Sequence, residues 1–338
     1  MDAIAPNIAD AASDKGRAPF LSTATRQKLL AFAGLVALLV FFSIASPNFL
    51  QKDNIIGILQ STAVNGVLAV GCTFVIISGG IDLSVGTLMT FCAVMCGVVL
   101  TYWGMPLPVG VLAAIVVGAF CGMTSGLVIA KMKVPPFIAT LGMMLLLKGL
   151  SLVIANDHPI YFNDTPNFSV ISIDSLLGYF VPSLDIPNGV VILFLVAIVA
   201  AIVLNTSLLG RYVFALGSNE EAARLSGVNV DFWKVVVYSV NGAICGVAGL
   251  LIASRLNSAQ PALGQGYELD AIAAVVIGGT SLSGGRGTVL GTIIGAFIVS
   301  VLTNGLRILS VAQEWQLVVT GLIIILAVYG DILRRTKA

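Results

Sequence analysis

Long apolar runs separated by short polar segments dominate this sequence. A helix needs about 20 apolar residues to cross the hydrocarbon core of a bilayer, which is about 30 Å thick. Nine stretches meet that requirement: 28–45, 55–78, 84–103, 106–130, 136–155, 188–206, 234–256, 287–305 and 314–331. A further run, 271–279, is too short to cross alone unless residues 267–270 also enter. The pattern therefore predicts an all-α polytopic membrane protein with about ten transmembrane segments, in which this run and the stretch near Gly79 are broken or re-entrant.

The composition supports the same architecture. Of the 338 residues, 58% are hydrophobic and only 10% are charged, whereas a soluble domain carries about 25% charged residues. The net charge of +1 argues against a nucleic-acid partner. The five cysteines all lie in apolar stretches and their number is odd, which does not fit a disulfide framework. Cys92 and Cys96 could share a helix face as a metal pair, but apolar packing is the simpler interpretation. We expect no metal and no cofactor.

Charge placement predicts the orientation. If the N-terminus is cytoplasmic, most basic residues near the ends of the runs are cytoplasmic too, as the positive-inside rule requires: Lys15, Arg17, Arg26, Lys28, Lys131, Lys133, Arg211, Arg224, Lys234, Arg286, Arg334, Arg335 and Lys337. The other side receives only Lys52, Arg255 and Arg307. We therefore predict cytoplasmic tails at 1–27 and 332–338 and a transmembrane domain at 28–331. That domain includes a periplasmic loop, 156–187, and a polar cytoplasmic loop, 207–233.

Glycine patterns predict close packing and an internal repeat. Gly287, Gly291 and Gly295, and likewise Gly118 and Gly122, recur every four residues, a spacing that lets another backbone approach one helix face. In addition, ISGGIDLSVGT at 77–87 is similar to VIGGTSLSGGRGT at 276–288. The residues that align are Gly79, Gly80, Leu83, Ser84 and Gly86 with Gly278, Gly279, Leu282, Ser283 and Gly285. Each copy follows an apolar run and leads into another, so the repeat is predicted to be parallel, and interrupted segments at matching positions point to a transport pathway.

The segment 210–228 predicts a short helix outside the membrane. Ser218 is a natural N-cap, and Glu221, three residues on, completes a capping box. Glu220 and Glu221 suit the first turn, and Gly227 suits the position just past the helix. Because a two-turn helix is marginal alone, we expect it to dock onto a cytoplasmic motor. The alternative is a simple surface linker.

The same segment carries a resemblance to a known family. Glu221-Ala222-Ala223 followed by Gly227 resembles the EAA-three-residues-Gly loop of ABC importer permeases. Five segments look like those of ribose-type monosaccharide permeases, in the same order and at similar spacing: GIDLSVG, FIATLGMM, GRYVFALGSNEEAARLSGV, SAQP and YELDAIAAVVIGGTSLSGGRG. The similarity runs from about residue 29 to about residue 328.

The resemblance implies a membrane-spanning subunit that works with other proteins. It implies a cytoplasmic ATPase subunit, a periplasmic sugar-binding protein and a second permease chain, with a homodimer as the expected arrangement, all in or beside the lipid of the bacterial inner membrane. It also implies an ATPase-coupling role for eight residues of the loop: Arg211, Ser218, Glu220, Glu221, Ala222, Ala223, Arg224 and Gly227. The chain lacks a GxxxxGK[ST] phosphate loop. We therefore expect no enzymatic activity of its own.

Polar residues inside the predicted spans are candidates for the translocation pathway, because they are costly there. Lys148 either snorkels outward or lines the pathway, and Asn65 and Asn241 either pair helices or line it. Asp82 is expected to cap the third span. The full set of pathway or gating candidates is Asn65, Gly79, Gly80, Asp82, Ser84, Lys148, Asn241, Gly278, Gly279 and Ser281. Outside the pathway, Glu268 and Asp270 are expected to pair with Arg255 or Arg307.

Three other function classes compete. An ion-coupled secondary sugar transporter would usually carry acids inside its spans, and no Asp or Glu lies well within a predicted span. An intramembrane enzyme would need a convergent catalytic set, and the single histidine, His158, lies in a loop. A scaffold would not need the coupling loop. The few charges suit a neutral polar solute. Its assignment as a ribose-like pentose, a hexose or a related polyol rests on the resemblance.

Overall fold

The computed structural model describes residues 23–181 and 185–335, so most of the predicted N-terminal tail and Lys337 lie outside the described part. These residues form thirteen α-helices: α1 (Thr23–Ala45), α2 (Lys52–Ile77), α3 (Val85–Gly97), α4 (Leu107–Lys131), α5 (Pro136–Ala155), α6 (Leu176–Phe180), α7 (Asn188–Thr206), α8 (Leu208–Ser218), α9 (Glu220–Leu225), α10 (Val230–Leu256), α11 (Tyr267–Ile277), α12 (Val289–Ile308) and α13 (Gln313–Arg335). The all-α prediction is confirmed.

Eight helices in the described part are long and apolar enough to cross a membrane: α1, α2, α3 with the π-helical turn Val98–Tyr102 that continues it, α4, α5, α7, α10 and α12. The apolar part of α13, Gln313–Leu326, is shorter. With 11 residues, α11 is about 16 Å long, roughly half of the hydrocarbon thickness. The eight long helices, α11 and the apolar part of α13 therefore correspond to the predicted ten segments.

Backbone-to-backbone contact holds the centre of the bundle together. A Cβ atom at Gly118 would collide with the carbonyl oxygen of Gly242, and one at Gly122 would collide with that of Tyr238, so α4 and α10 touch directly. Gly291 and Gly295 of α12 approach the carbonyl oxygens of Gly278 and Ala274 in the same way. Gly118 with Gly122 and Gly291 with Gly295 therefore serve the close backbone approach that their spacing predicts. Gly287 does not, because it precedes α12 and faces the Thr280 side chain.

Two connections fold back into the bundle instead of remaining at its surface. The residues 78–84 between α2 and α3 bring Asp82 against Asn241, the twelfth residue of α10. From the other end, the segment before α11 brings Gly264 against Gly86 at the start of α3, where a Cβ on either glycine would collide with the other's carbonyl oxygen. These are the interrupted regions that the sequence predicts near 79 and 271.

The remaining connections are compact. Two-residue strands β1 (Ile160–Tyr161) and β2 (Ser258–Ala259) pair antiparallel and join the 156–187 loop to the end of α10. A 3₁₀ turn, Phe168–Ile171, lies in the same loop, and Ser254 of α10 donates to the Phe168 carbonyl at 2.8 Å. This loop and the helices α8 and α9 lie at opposite ends of the bundle, because α10 begins beside α9 and ends beside β1.

Candidate functional site

Helix α9 begins one residue later than the sequence indicates. Helix α8 continues through Ser218, so Ser218 has a helical backbone and cannot cap the next helix. Asn219 is the N-cap: its backbone is extended (φ −162°), and its side-chain oxygen accepts from the amide of Ala222 at 2.9 Å. The predicted capping box of Ser218 and Glu221 is therefore wrong, because Glu221 is the second residue of the helix and not the third.

The end of α9 follows the prediction. Gly227 adopts φ +85°, a conformation that costs little for glycine alone. Its amide donates to the Arg224 carbonyl at 3.0 Å, and the Val228 amide donates to the Ala223 carbonyl at 3.1 Å. This pair of hydrogen bonds is a Schellman motif, which closes the helix after one and a half turns.

The two glutamates of α9 differ in their surroundings. Glu220 accepts from Lys234 at 2.7 Å, which ties α9 to the first turns of α10, and also pairs with Arg224 at 3.1 Å. Glu221 is exposed and makes no ion pair within 4.0 Å in the described residues. Of the other predicted coupling residues, Ala223 faces inward, whereas Arg211, Ala222 and Arg224 are exposed together with Leu225, which is 84% accessible.

Helix α8 ends against the residues that follow α2 and α11. We call residues 78–84 the first loop and residues 278–288 the second loop. A Cβ at Gly217 of α8 would collide with the Ile77 carbonyl oxygen and would crowd the amide of Gly285. That amide itself donates to the Ile77 carbonyl at 2.8 Å. Gly79 and Gly284 also lie against Gly217. The end of α8 therefore contacts both loops through the backbone.

The two loops begin with the same helix-ending motif. The amides of Gly79 and Gly80 donate to Ile76 and Val75, and those of Gly279 and Thr280 donate to Val276 and Val275. Gly79 (φ +82°) and Gly279 (φ +92°) hold the positive-φ position. The repeat is thus present, but the helix ends match at an offset of 200 residues, one more than the sequence alignment gives. Gly79 corresponds to Gly279, and neither Gly80 nor Gly278 has a glycine counterpart.

The first loop places a buried acid inside the bundle. Asp82 is 2% exposed. One carboxylate oxygen accepts from the amide and the hydroxyl of Ser84 at 2.8 and 2.6 Å, and the other accepts from the Asn241 side chain at 2.8 Å. The carboxylate caps the residue before α3, not the amides of its first turn. The prediction that no acid lies well within a span considered only residues of the spans, so it did not foresee a carboxylate that a connecting loop carries into the bundle.

Comparison with known proteins identifies the family. A profile described as the permease component of a branched-chain amino acid transport system matches residues 54–328. The ribose import permease protein of Escherichia coli strain K12 is 45% identical over 312 residues, which cover 91% of this chain and 95% of that protein. The chain belongs to this permease family. The fructose import permease protein of Rhizobium meliloti is 38% identical over 303 residues, covering 88% of this chain and 82% of that protein.

A further relative extends the comparison. The ribose import permease protein of Bacillus subtilis strain 168 is 44% identical over 307 residues, covering 90% of this chain and 92% of that protein. No solved structure matches the chain. The profile includes α9, both loops and Asp82, so every candidate residue lies within the region shared with the family. The protein is accordingly a multi-pass membrane permease.

The remaining candidates of the permease lie apart from α9. The ammonium of Lys148 donates to Gln265 in the segment before α11 at 2.9 Å. Asn65 lies at the middle of α2 and lines a cavity at the end of the bundle opposite to α9. Ser281 is buried in the second loop, where its amide donates to the Arg286 carbonyl at 3.0 Å. The structure therefore brings Asp82, Ser84 and Asn241 together and separates them from Lys148 and Asn65.

The sequence reasoning missed other residues of that cavity. Glu268 bonds to the Gly266 amide, and no ion pair within 4.0 Å joins Glu268 or Asp270 to Arg255 or Arg307 in the described residues, so the predicted pairing is wrong. Arg255, Asp270 and Arg307 instead line the cavity. A signal was present: Ser300, Thr303, Asn304 and Arg307 recur at i, i+3, i+4 and i+7 and form a polar stripe along an otherwise apolar helix.

Proposed function

We propose that this permease is the membrane-spanning subunit of an ATP-driven ABC importer that carries a monosaccharide into the cytoplasm, and that α9 receives the ATPase subunit. The observation that supports this proposal is the contact of α8 with both loops. A force applied to α9 reaches the adjoining end of α8 at Gly217, which touches the Ile77 carbonyl at the end of α2 and also Gly284 and Gly285 of the second loop. Because backbone contacts in a close-packed interior transmit displacement, this geometry suits a coupling device better than a linker.

The charges of the described residues support the proposed orientation. Lys131 and Lys133 lie near Asp231 at the start of α10, beside Lys234 and α9. The opposite end carries Lys52, which pairs with Asp185 at 2.9 Å, and the two cavity-lining arginines, Arg255 and Arg307, whereas the α9 end also carries Arg211, Arg224 and Arg286. The positive-inside rule then makes the α9 end cytoplasmic. Reporter fusions at Asn219 should accordingly report the cytoplasm and fusions near Asp164 the periplasm, and a cytoplasmic Asp164 would contradict the orientation.

The proposed partners follow from the import mechanism. The exposed face of α9, with Glu221, Ala222 and Leu225, offers a small surface to a cytoplasmic ATPase. A periplasmic sugar-binding protein delivers the solute at the opposite end. The relatives are named for ribose, fructose and xylose, so we place the solute among pentoses and hexoses. A second copy of the chain completes the pore.

A charge reversal on α9 tests the coupling role. Glu221→Lys changes the exposed face and leaves the Glu220 ion pairs in place, so the helix should stay folded while the surface offered to the ATPase changes sign. The matched control is Asp164→Lys, because Asp164 is an exposed acid of the 156–187 loop. Co-purification of the ATPase and sugar-stimulated ATP hydrolysis in liposomes should fall for Glu221→Lys only. Wild-type values for Glu221→Lys in both assays would make α9 a linker.

A second candidate function, ion-coupled transport, is favoured by one observation, the buried carboxylate of Asp82. Buried acids often serve as proton or sodium relays. The three hydrogen bonds to Asp82 instead fit a structural anchor. Uptake by intact cells should therefore persist when the proton gradient is collapsed while ATP is maintained. Immediate loss of uptake under those conditions would favour the secondary transporter.

A further inference from the structure

The end of the bundle opposite to α9 contains a cavity of about 470 Å³. Its walls come from the first half and the middle of α2, the end of α10, the start of α11 with the two residues before it, the second half of α12 and the first half of α13. The exposed residues Leu269, Arg307 and Leu317 lie at its edge. Its volume lies within the range of about 300–1,000 Å³ that is usual for small-molecule sites.

Three side chains of the cavity wall have polar atoms without a hydrogen-bond partner in the described residues. These atoms are the amide oxygens of Asn65 and Asn304 and the hydroxyl of Ser300. Asn65 is 9% exposed and Ser300 is 3% exposed. Buried polar groups are nearly always hydrogen-bonded, so these atoms require a partner that the described residues do not supply. All three can accept a hydrogen bond, and two of them can only accept.

The charged residues of the wall narrow the chemistry of that partner. The guanidinium of Arg255 donates to the Ser61 hydroxyl at 3.2 Å, and Arg307 adds further donors, whereas Asp270 supplies an acceptor. A carboxylate group or a fully ionised phosphate group carries no donor and would leave both asparagine oxygens unsatisfied. A hydroxyl group donates and accepts at once, so several hydroxyls on one small molecule serve all of these groups.

We propose that this cavity is a binding site of the permease itself for a neutral polyhydroxylated solute, with Asn65, Ser300 and Asn304 accepting hydrogen bonds from its hydroxyls. The site deepens the proposed transport function and rests on it for the direction of passage. It lies where a solute arriving from a partner on the far side of the membrane enters the bundle, and Asn65 on α2 places it on the helix whose other end contacts α8.

Protection of an introduced thiol tests the site in membrane vesicles that contain the full chain. Thr303→Cys lines the cavity and leaves the three acceptors intact, and all five native cysteines are buried. A membrane-impermeant methanethiosulfonate reagent should modify this cysteine. D-ribose, D-xylose or D-fructose at millimolar concentrations should slow the reaction, whereas D-gluconate should not.

Variants of the wall make the test specific. Asn65→Leu in the same background should raise the half-protecting sugar concentration about 2- to 12-fold, the effect of losing one uncharged hydrogen bond. Thr62→Val is the control, because Thr62 is buried on the same helix and bonds only to the Ile58 carbonyl. Unchanged protection in Asn65→Leu would overturn the assignment of the acceptors.

Other outcomes also decide the proposal. An unreactive Thr303→Cys, or no protection by any of the three sugars, would overturn the site. Equal protection by D-gluconate would overturn the neutral class of the solute. Glu221→Lys distinguishes this proposal from the coupling proposal. In the Thr303→Cys background it should leave the protection of the thiol by sugar unchanged. Failure of ATPase coupling therefore leaves this proposal standing, and loss of protection leaves the coupling proposal standing.

Discussion

The two loops that end α2 and α11 begin alike and then differ. Both start with a Schellman motif around a glycine, Gly79 or Gly279. The first loop has seven residues and is held in the bundle by the hydrogen bonds of Asp82 and by the Tyr238 hydroxyl, which donates to the Ile81 carbonyl at 3.1 Å. The second loop has eleven residues and lacks an equivalent acid. The same helix-ending motif thus begins two loops that are held in place differently.

The second loop is attached differently. Gly284 (φ +81°) and Gly285 (φ +71°) lie against the end of α8. Thr280, the counterpart of Gly80, buries a hydroxyl that has no hydrogen-bond partner in the described residues. Polar side chains therefore hold the first loop in the bundle, while backbone contacts connect the second loop to the end of α8. The comparison predicts that the first loop is a rigid anchor and that the second loop is the element that α8 moves.

The largest effect is expected from removing the anchor. Asp82→Ala leaves the Asn241 side chain and the Ser84 amide buried without an acceptor, and each such loss costs about 1–3 kcal/mol. We expect the free energy of unfolding in detergent to fall by about 3 kcal/mol or more. Asp82→Asn is the control: it keeps one oxygen for Ser84, and the unpartnered oxygen of Asn241 can accept from the new amide. Equal stability of Asp82→Ala and wild type would refute the anchor.

A smaller loss of stability is expected from substituting Gly79, which occupies the positive-φ position that both loops share. Gly79→Ala places a Cβ in open space, with Gly217 Cα at 3.8 Å as its nearest neighbour, so only the positive φ is strained. We expect a loss of about 1–2 kcal/mol. Gly227→Ala, where a Cβ meets nothing within 4 Å, should show the same strain through faster hydrogen exchange of residues 220–228. A loss above about 3 kcal/mol in Gly79→Ala would mean that the first loop is packed more tightly than its contacts show.

Removal of the N-cap of α9 should lower the stability of that helix modestly. Asn219→Ala removes the hydrogen bond to the Ala222 amide and should weaken α9 by about 1 kcal/mol. Ser218→Ala should cost less, because Ser218 belongs to α8 and does not cap α9. Hydrogen exchange of residues 220–228, measured by mass spectrometry, distinguishes the two. Faster exchange in Ser218→Ala than in Asn219→Ala would restore the Ser218 cap that the sequence indicates.

The smallest effect is expected at the counterpart position in the second loop. Thr280→Val replaces a buried hydroxyl that has no partner in the described residues with a methyl group of similar size. Removal of an unsatisfied polar group is close to neutral or stabilising, so the melting temperature should stay level or rise. A clear fall would show that the hydroxyl is bonded in the membrane-embedded protein and would weaken the contrast between the loops.

Much of this architecture follows from the sequence, because its signals are local. Apolar length predicts the spans, and glycines at intervals of four predict where α4 meets α10 and α12 meets α11. Gly227 predicts the end of α9 because a positive φ selects glycine. The start of α9 was misplaced by one residue, since Ser218 and Asn219 are both good caps and only the length of α8 decides between them.

The sites that were missed depend on contacts between distant segments. Nothing in the local sequence shows that a loop folds back far enough to bring Asp82 to Asn241, which is 159 residues away. The cavity residues also come from five helices, although the polar stripe from Ser300 to Arg307 is readable in the sequence of α12. The register of the repeat shifted by one residue because two adjacent glycines, Gly79 and Gly80, offer two alignments, and only the hydrogen bonds at the helix end choose between them.

Sugar-stimulated ATP hydrolysis by a reconstituted Gly217→Ala complex tests the central claim most directly. The new Cβ separates α8 from the Ile77 carbonyl and from Gly285 but leaves the surface of α9 unchanged. Gly34→Ala, where a Cβ meets nothing within 4 Å, is the matched control. The account predicts that Gly217→Ala still binds the ATPase and melts as a folded protein, while stimulation falls about tenfold or more, equivalent to about 1.4 kcal/mol in the coupled step. Full stimulation in folded Gly217→Ala would contradict transmission through this contact.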